Sequence, residues 1–267
     1  MKAQVDGGWI EYDVLGEGPS VLLLHAFPLG RFMWDPQWET LAQGRRLLRF
    51  DVRGFGGSDP ADGPLTMERI ADDAAALLDL LGIERAVVGG CSMGGYAAFA
   101  FVRRHPQRLA GLVLQDTKAG ADSDEARRGR LALGRRVLDE GARAAADAFL
   151  PKLLGETTQR EQPQLVSRLR ARILALRPEA IAAALHGLAA RPDSRATLAT
   201  IRVPTLVLVG EEDVLTPPEE AEAIAREVPG ARLALVPGAG HLANLENPRA
   251  VNEQLDAFLP RAPGKPR

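Results

Sequence analysis

Short apolar runs alternate with stretches of helical periodicity along most of the 267-residue chain. Residues 9–15 alternate apolar and polar positions, a turn follows at residues 16–19, and residues 21–24 are continuously apolar. The first pattern predicts a half-exposed strand and the second a buried one, because successive side chains of a strand face opposite ways. After the run RRLLRFD, Ile70, Ala74, Leu77, Leu78 and Leu81 recur at helical spacing and predict a helix over 66–81, ended by Gly82. RAVVGG and LAGLVLQD read as buried strands, separated by a helix over 93–104 that stops at His105-Pro106. VPTLVLVG, a helix over 219–227, ARLALV and a last helix over 244–258 continue the alternation. Short apolar strands interleaved with helices imply a mostly parallel sheet with crossover helices on both faces, an α/β fold.

The alternation stops over residues 117–200, where no strand pattern is evident. Three apolar stripes take its place: Leu131, Leu138, Ala142, Ala145 and Phe149; then Leu165, Leu169, Ile173 and Leu176; then Ile181, Leu185 and Leu188. Prolines punctuate the region, and Pro178 suits the first turn of a helix. The expected organisation is therefore a core of residues 1–116 and 201–260, a helical insertion over 117–200 and a tail over 261–267. The terminal string PRAPGKPR is expected to be disordered.

Composition narrows the class. Apolar residues make up 46% and charged residues 25%, the balance of a globular chain that folds alone. A formal charge of −2 offers no field to recruit nucleic acid or an anionic membrane, so the expected partner is a small molecule. A single cysteine excludes an intramolecular disulfide framework and fits a reducing compartment. With no signal-peptide pattern at the start and no long apolar run, the expected location is the cytoplasm.

The candidate chemistry begins at Gly90-Cys91-Ser92-Met93-Gly94, a serine boxed by glycines between a predicted strand and a predicted helix. This matches a nucleophile elbow, in which small neighbours let a strained turn close and the helix N-terminus faces the site. A serine hydroxyl needs a histidine to accept its proton, and that histidine needs a carboxylate. Of four histidines, His105 lies at the far end of the following helix, His186 falls in the helical insertion, and His25 ends a buried strand where it could orient a loop. His241, on the loop GAGH after a buried strand, remains as the base. For the acid, Glu211, Glu212 and Asp213 follow one buried strand and Asp116 follows another; Asp213 and Asp116 are the two contenders. The oxyanion of an acyl-transfer intermediate needs N–H donors, for which the backbone of Met93 and of Phe27, in LLLHAFPLG, are the candidates. Pro28 has no N–H and can only stiffen that loop. Cys91 reads as a packing residue. The run RGFGGSD leads into a loop rather than a helix, so it is not a dinucleotide fingerprint.

Five strings, LLHAFPLGRFMWDPQ, FDVRGFGGSD, VGGCSMGGYAA, PTLVLVGEEDVLTPP and GAGHLANLENP, together resemble the α/β-hydrolase superfamily over nearly the whole chain. Within it they are similar to the branch of 3-oxoadipate enol-lactonases, small carboxylesterases and cofactor-free haloperoxidases or perhydrolases. The resemblance implies an α/β-hydrolase fold, a triad of Ser92, Asp213 and His241, oxyanion donors at Phe27 and Met93, and the insertion as a helical cap. It implies a backbone-holding role for Ser58 and Asp59. Ala26 stands where the family usually has glycine. The expected activity is hydrolysis of small carboxylic esters or lactones through an acyl-enzyme, with no cofactor and no metal. Perhydrolysis on the same triad and ligand binding without catalysis are the two rival expectations.

Overall fold

A computed structural model describes residues 1–262 of the chain. Its centre is an eight-stranded sheet made of β1 (Lys2–Val5), β2 (Gly8–Leu15), β3 (Ser20–Leu24), β4 (Arg46–Phe50), β5 (Ala86–Cys91), β6 (Leu109–Gln115), β7 (Thr205–Gly210) and β8 (Arg232–Val236), in the order β1-β2-β4-β3-β5-β6-β7-β8. β1 and β2 pair antiparallel with each other, and β2 with β4; every other pair is parallel. β5 and β7 are buried at every position, which is why the central strands read as unbroken apolar runs rather than as alternations. β2 does alternate: Ile10 and Tyr12 point inward while Trp9 faces solvent.

Helices α1 (Asp35–Leu41), α2 (Met67–Leu80), α3 (Met93–Arg104), α10 (Pro218–Glu227), α11 (Ala243–Glu246) and α12 (Pro248–Phe258) flank the sheet. α2 packs on α3, and α1 on α12. α2 follows its expected register, with Thr66 capping it by accepting the Arg69 N–H. The single helix expected over 244–258 is two. Pro248 disfavours helical geometry at Asn247, whose φ of −131° and ψ of 69° break the helix, and the Asn247 side chain then caps α12 through the Ala250 N–H. The sequence pattern predicts neither β1 nor α1, and the run RRLLRFD, to which it assigns no element, forms β4.

Six helices intervene between β6 and β7: α4 (Asp124–Glu140), α5 (Ala142–Leu153), α6 (Glu156–Glu161), α7 (Pro163–Leu174), α8 (Pro178–Ala190) and α9 (Arg195–Leu198). Leu165, Leu169 and Ile173 on α7 and Ile181, Leu185 and Leu188 on α8 are buried as their spacing predicts. The first stripe is corrected. Gly141, at φ 80°, separates α4 from α5, so residues on either side do not share one helical face; Leu138 is 54% exposed while Gly134 and Val137 form the buried side of α4. Of the tail expected to be disordered, residues 263–267 lie outside the described residues, but residues 260–262 are fastened. The Ala262 N–H donates to Gly44 O, and Arg45 donates to Pro260 O. Among the described residues no single helix is long and apolar enough to cross a membrane.

The chain proceeds from β3 outward to β4 and then crosses back to β5 on the other side of β3. The crevice at the carboxyl ends of β3 and β5 is therefore a topological switch point, where open α/β sheets hold their ligands.

Candidate active site

One residue, Ser92, separates β5 from α3, and it sits at φ 53° and ψ −112°. That conformation costs a non-glycine residue on the order of 1–3 kcal/mol and persists only where its surroundings enforce it. Here they do. The Ser92 N–H donates to Gln115 O (3.0 Å), and its carbonyl accepts from the Tyr96 N–H (3.1 Å) and the Thr117 hydroxyl (3.0 Å). A Cβ on Gly90 would strike the Gly94 backbone, and one on Gly94 would strike the Leu24 carbonyl, so both flanking glycines are required by space.

His241, on the loop between β8 and α11, places Nε2 2.8 Å from Ser92 Oγ. Its Nδ1 lies 2.8 Å from Asp213 Oδ2, on the loop after β7. The carboxylate also accepts the N–H groups of Leu215 (2.8 Å) and Thr216 (3.0 Å) on Oδ1 and the Thr216 hydroxyl (2.7 Å) on Oδ2. Burial alone would raise the Asp213 pKa, but the facing imidazole and these donors bring it below the ordinary carboxylate value. With Nδ1–H donating to Asp213, the Nε2 lone pair points at the serine hydroxyl. The arrangement can pass a proton from Ser92 to His241 and stabilise the resulting imidazolium.

The other acids do not touch His241. Asp116 is fully buried at the end of β6, with Oδ1 accepting from Gly210 N (2.9 Å) and Oδ2 from Ala243 N (3.2 Å) and Gln115 Nε2 (3.0 Å). Burial and the nearby Asp213 charge push its carboxyl well up. Asp116 thus ties the loop carrying Asp213 to the loop carrying His241. Glu212 bonds Thr157, and Glu211 is exposed. The remaining histidines fall where their sequence positions suggest. His25 is buried and accepts the Val52 N–H on Nε2 (3.1 Å) while its Nδ1 faces Ala26 O (2.9 Å). His105 pairs with Asp72 at the helix end, and His186 is exposed.

Phe27 and Met93 both line the cavity in front of Ser92, and among the described residues neither backbone N–H has a hydrogen-bond partner. Two free donors flanking a serine suit an oxyanion. Ala26 is accommodated without a positive φ; its N–H meets Met33 Sδ (3.0 Å) and its carbonyl accepts from Leu29 (3.0 Å). Ser58 and Asp59 hold backbone as the resemblance implies. Ser58 Oγ donates to Asp51 O (2.6 Å) and accepts the Glu11 N–H, and Asp59 accepts the Trp9 N–H.

The cavity holds about 60 Å³ and is walled by Phe149 and Leu153 of α5, Leu188 of α8 and Leu215. Phe149 meets Phe27 edge-on, ring centroids 5.2 Å apart. Lys118 and Arg130 also face it, Arg130 while paired with Asp122 at 2.6 Å. These two cations and Thr216 are site residues that pattern reading missed. Thr216 had a local signal, since a threonine three residues after an aspartate on a turn bonds back to it. The cations had none, because one lies on a loop and the other among many arginines of α4. Cys91 is buried with its thiol pushed well up, chiefly by burial, consistent with packing rather than reaction.

Residues 19–248 match the family model described as the alpha/beta hydrolase fold. The solved structure of a thermophilic esterase from Thermogutta terrifontis, malate bound, is similar to this chain with a TM-score of 0.93 and 43% identity, covering 96% of this chain and 95% of that one. The enol-lactonase from Burkholderia xenovorans LB400 is similar with a TM-score of 0.90 and 31% identity, covering 97% and 99%. A relative from Bacillus subtilis (strain 168), described as a putative 2-succinyl-6-hydroxy-2,4-cyclohexadiene-1-carboxylate synthase, is 30% identical over 266 residues, 94% of this chain and 95% of its own.

Proposed function

The chain belongs to the α/β-hydrolase fold family, and from that premise we propose that it is a serine hydrolase of small carboxylic esters or lactones, with Ser92, His241 and Asp213 as its triad. The observation that carries the reading is the continuous relay from Ser92 Oγ through His241 to Asp213, opening onto a cavity flanked by two unpartnered N–H groups. Ser92 Oγ attacks the acyl carbon while His241 Nε2 takes its proton, and Asp213 holds the imidazole in the accepting tautomer. The N–H groups of Phe27 and Met93 bind the oxyanion as the tetrahedral intermediate forms. His241 returns the proton to the departing alkoxide, which in a lactone remains tethered to the acyl chain. A water, deprotonated by His241, then cleaves the acyl-enzyme. Water is the only co-reactant this sequence needs.

Residues 117–200 act in this reading as a cap that roofs the cleft and sets specificity. The narrow apolar walls support a short acyl group, and Lys118 and Arg130 support one that carries a carboxylate. Enol-lactonases and esterases among the relatives support the same substrate class. The lone buried cysteine supports a reducing, cytoplasmic setting.

The test is labelling by a fluorophosphonate, read by intact mass, with turnover of p-nitrophenyl esters and lactones with and without a terminal carboxylate. One label per chain, absent in Ser92→Ala, and faster turnover of carboxylated substrates are expected. A folded protein that takes no label is a binding module instead. Peroxide-dependent halogenation of an indicator dye that outpaces ester cleavage would move the activity to perhydrolysis.

A further inference from the structure

Two carboxylates that the proposed mechanism does not use grip the same turn. Glu246, buried on α11, accepts the Leu242 N–H on Oε1 (3.0 Å) and the Gly155 N–H on Oε2 (2.8 Å). Leu242 is the neighbour of His241, whereas Gly155 lies between α5 and α6. The Glu246 carbonyl accepts a third bond, from Gln162 Nε2 (3.0 Å). Glu212, the neighbour of Asp213, accepts the Thr157 N–H on Oε2 (2.9 Å) and the Thr157 hydroxyl on Oε1 (2.6 Å). Between these bonds the backbones of Gly155 and Gly240 touch so closely that neither position admits a Cβ.

The turn held in this way has a second connection. It directly follows α5, which carries Phe149 and Leu153 of the cavity wall. Gln159 Nε2 donates to Leu154 O (2.7 Å) and so fixes the end of that helix to α6. Through Gly155 and Thr157 the end of α5 is thus bonded to residues adjoining His241 and Asp213.

We infer that Glu246, seconded by Glu212, is a positioning residue that clamps the pocket wall to the histidine and acid loops, so that wall position and Ser92–His241 geometry are set together. The inference rests on the hydrolase reading for its effect on turnover, but the clamp itself is a set of carboxylate hydrogen bonds to backbone N–H groups and can be measured without turnover. A buried carboxylate that accepts two N–H groups has no isosteric substitute. In Glu246→Gln the amide must turn its NH₂ toward one of the two donors, and one grip is lost.

The experiment compares wild type with Glu246→Gln and Thr157→Val. It measures amide exchange at Gly155 and Leu242, kcat and KM across p-nitrophenyl acetate, butyrate and hexanoate, and thermal stability. Glu246→Gln is expected to speed exchange at both amides together, to lower kcat about tenfold well below its unfolding temperature, and to change the preferred acyl length. Thr157→Val, which removes only the hydroxyl grip, is expected to shift acyl preference and to lower kcat together, each by less than Glu246→Gln does, and it decides the matter should Glu246→Gln not fold: a shift in one without the other overturns the clamp. A lowered melting temperature with kcat and acyl preference unchanged, or faster exchange at only one of the two amides, overturns the clamp. Failure of wild type to label at Ser92 would instead overturn the hydrolase reading, leaving the exchange result to decide the clamp.

Discussion

A hydroxyl, an imidazole and a carboxylate in line are useful only if the imidazole holds its proton on the correct nitrogen, and that requirement separates the two acids that sequence left in contention. Asp213 contacts His241 Nδ1 directly, whereas Asp116 reaches only backbone and Gln115. Asp213→Asn is therefore expected to cut kcat by about 10⁴-fold, since an amide in that place favours the wrong tautomer. Asp116→Asn should cost far less in kcat and should appear mainly as lost stability; steady-state kinetics on both variants checks the ranking, and the reverse order would move the acid to β6. Acidification acts at the residue scale too. The folded Asp213 pKa lies below its unfolded value, so its stabilisation is present above the unfolded pKa and is lost as pH falls through the folded one. His25 behaves differently: burial, opposed by Asp51, lowers its pKa, and its Nε2 must stay unprotonated to accept Val52 N–H. The unfolded chain takes up that proton below about pH 6.5 while the folded one resists, so stability falls as pH drops below that point. Calorimetry at about pH 7.5 and about pH 5.5 should find a smaller loss on acidification in His25→Gln than in wild type, even though the variant starts less stable; an equal loss in both would remove His25 as a source of the pH dependence.

At the scale of elements, α5 and α8 are where specificity is expected to reside. Leu188 is buried on α8 and lines the cavity, so Leu188→Trp should fill a space of about 60 Å³ and shift the preferred ester toward acetate, while fluorophosphonate still labels Ser92. An unchanged acyl preference across such variants would make these helices scaffold rather than pocket. The elements differ in how far they could be read beforehand. β3, β5, β6 and β7 are legible because central parallel strands are apolar at nearly every position, α2 and α7 because their apolar residues recur on the buried side, and α8 because it is apolar nearly all round, with Glu179, His186 and Ala190 exposed. The α4–α5 region misled, since Gly141 turns the chain and the seven-residue step from Leu131 to Leu138 to Ala145 crosses that break. α1 was invisible because only Gln37 and Leu41 of its seven residues are buried, too few to make a stripe. The site divides in the same way. Ser92 announces itself in a local string, His241 by elimination and Asp213 only once the strings are taken together as a family resemblance, whereas Lys118, Arg130 and Glu246 reach their places only through tertiary contacts.

For the whole molecule, the question is how the last described helix, α12, is fastened to the body of the fold. Arg45, just before β4, is buried completely and spends every arm on the C-terminal helix and its own neighbourhood. Nε donates to Pro260 O (3.0 Å), Nη1 to Asp256 Oδ1 (2.9 Å) and more weakly to Leu41 O (3.4 Å), and Nη2 to Asp256 O (3.1 Å) and Leu259 O (3.0 Å). Leu41 O closes the end of α1, and the carbonyls of Asp256, Leu259 and Pro260 are left open by the end of α12, where no further helical turn exists to satisfy them. Replacing Arg45 with methionine keeps the apolar stem and removes the donors. Asp256 keeps contact with water and with Arg261, so the cost comes from the buried carbonyls left without a donor, at about 1–3 kcal/mol each before relaxation, and about 3 kcal/mol in all is expected. For a chain of this size that corresponds to a fall of about 6–12 °C in melting temperature. Fluorophosphonate labelling of Ser92 at room temperature should be unaffected, since Arg45 grips α12 and not the loops that carry the triad. A melting temperature within about 2 °C of wild type would mean that α12 is held by the packing of Val251 and Leu255 alone. The buried guanidinium would then serve only to satisfy the helix end, and the coupling between residues 45 and 256–260 would be a feature of geometry without weight in stability.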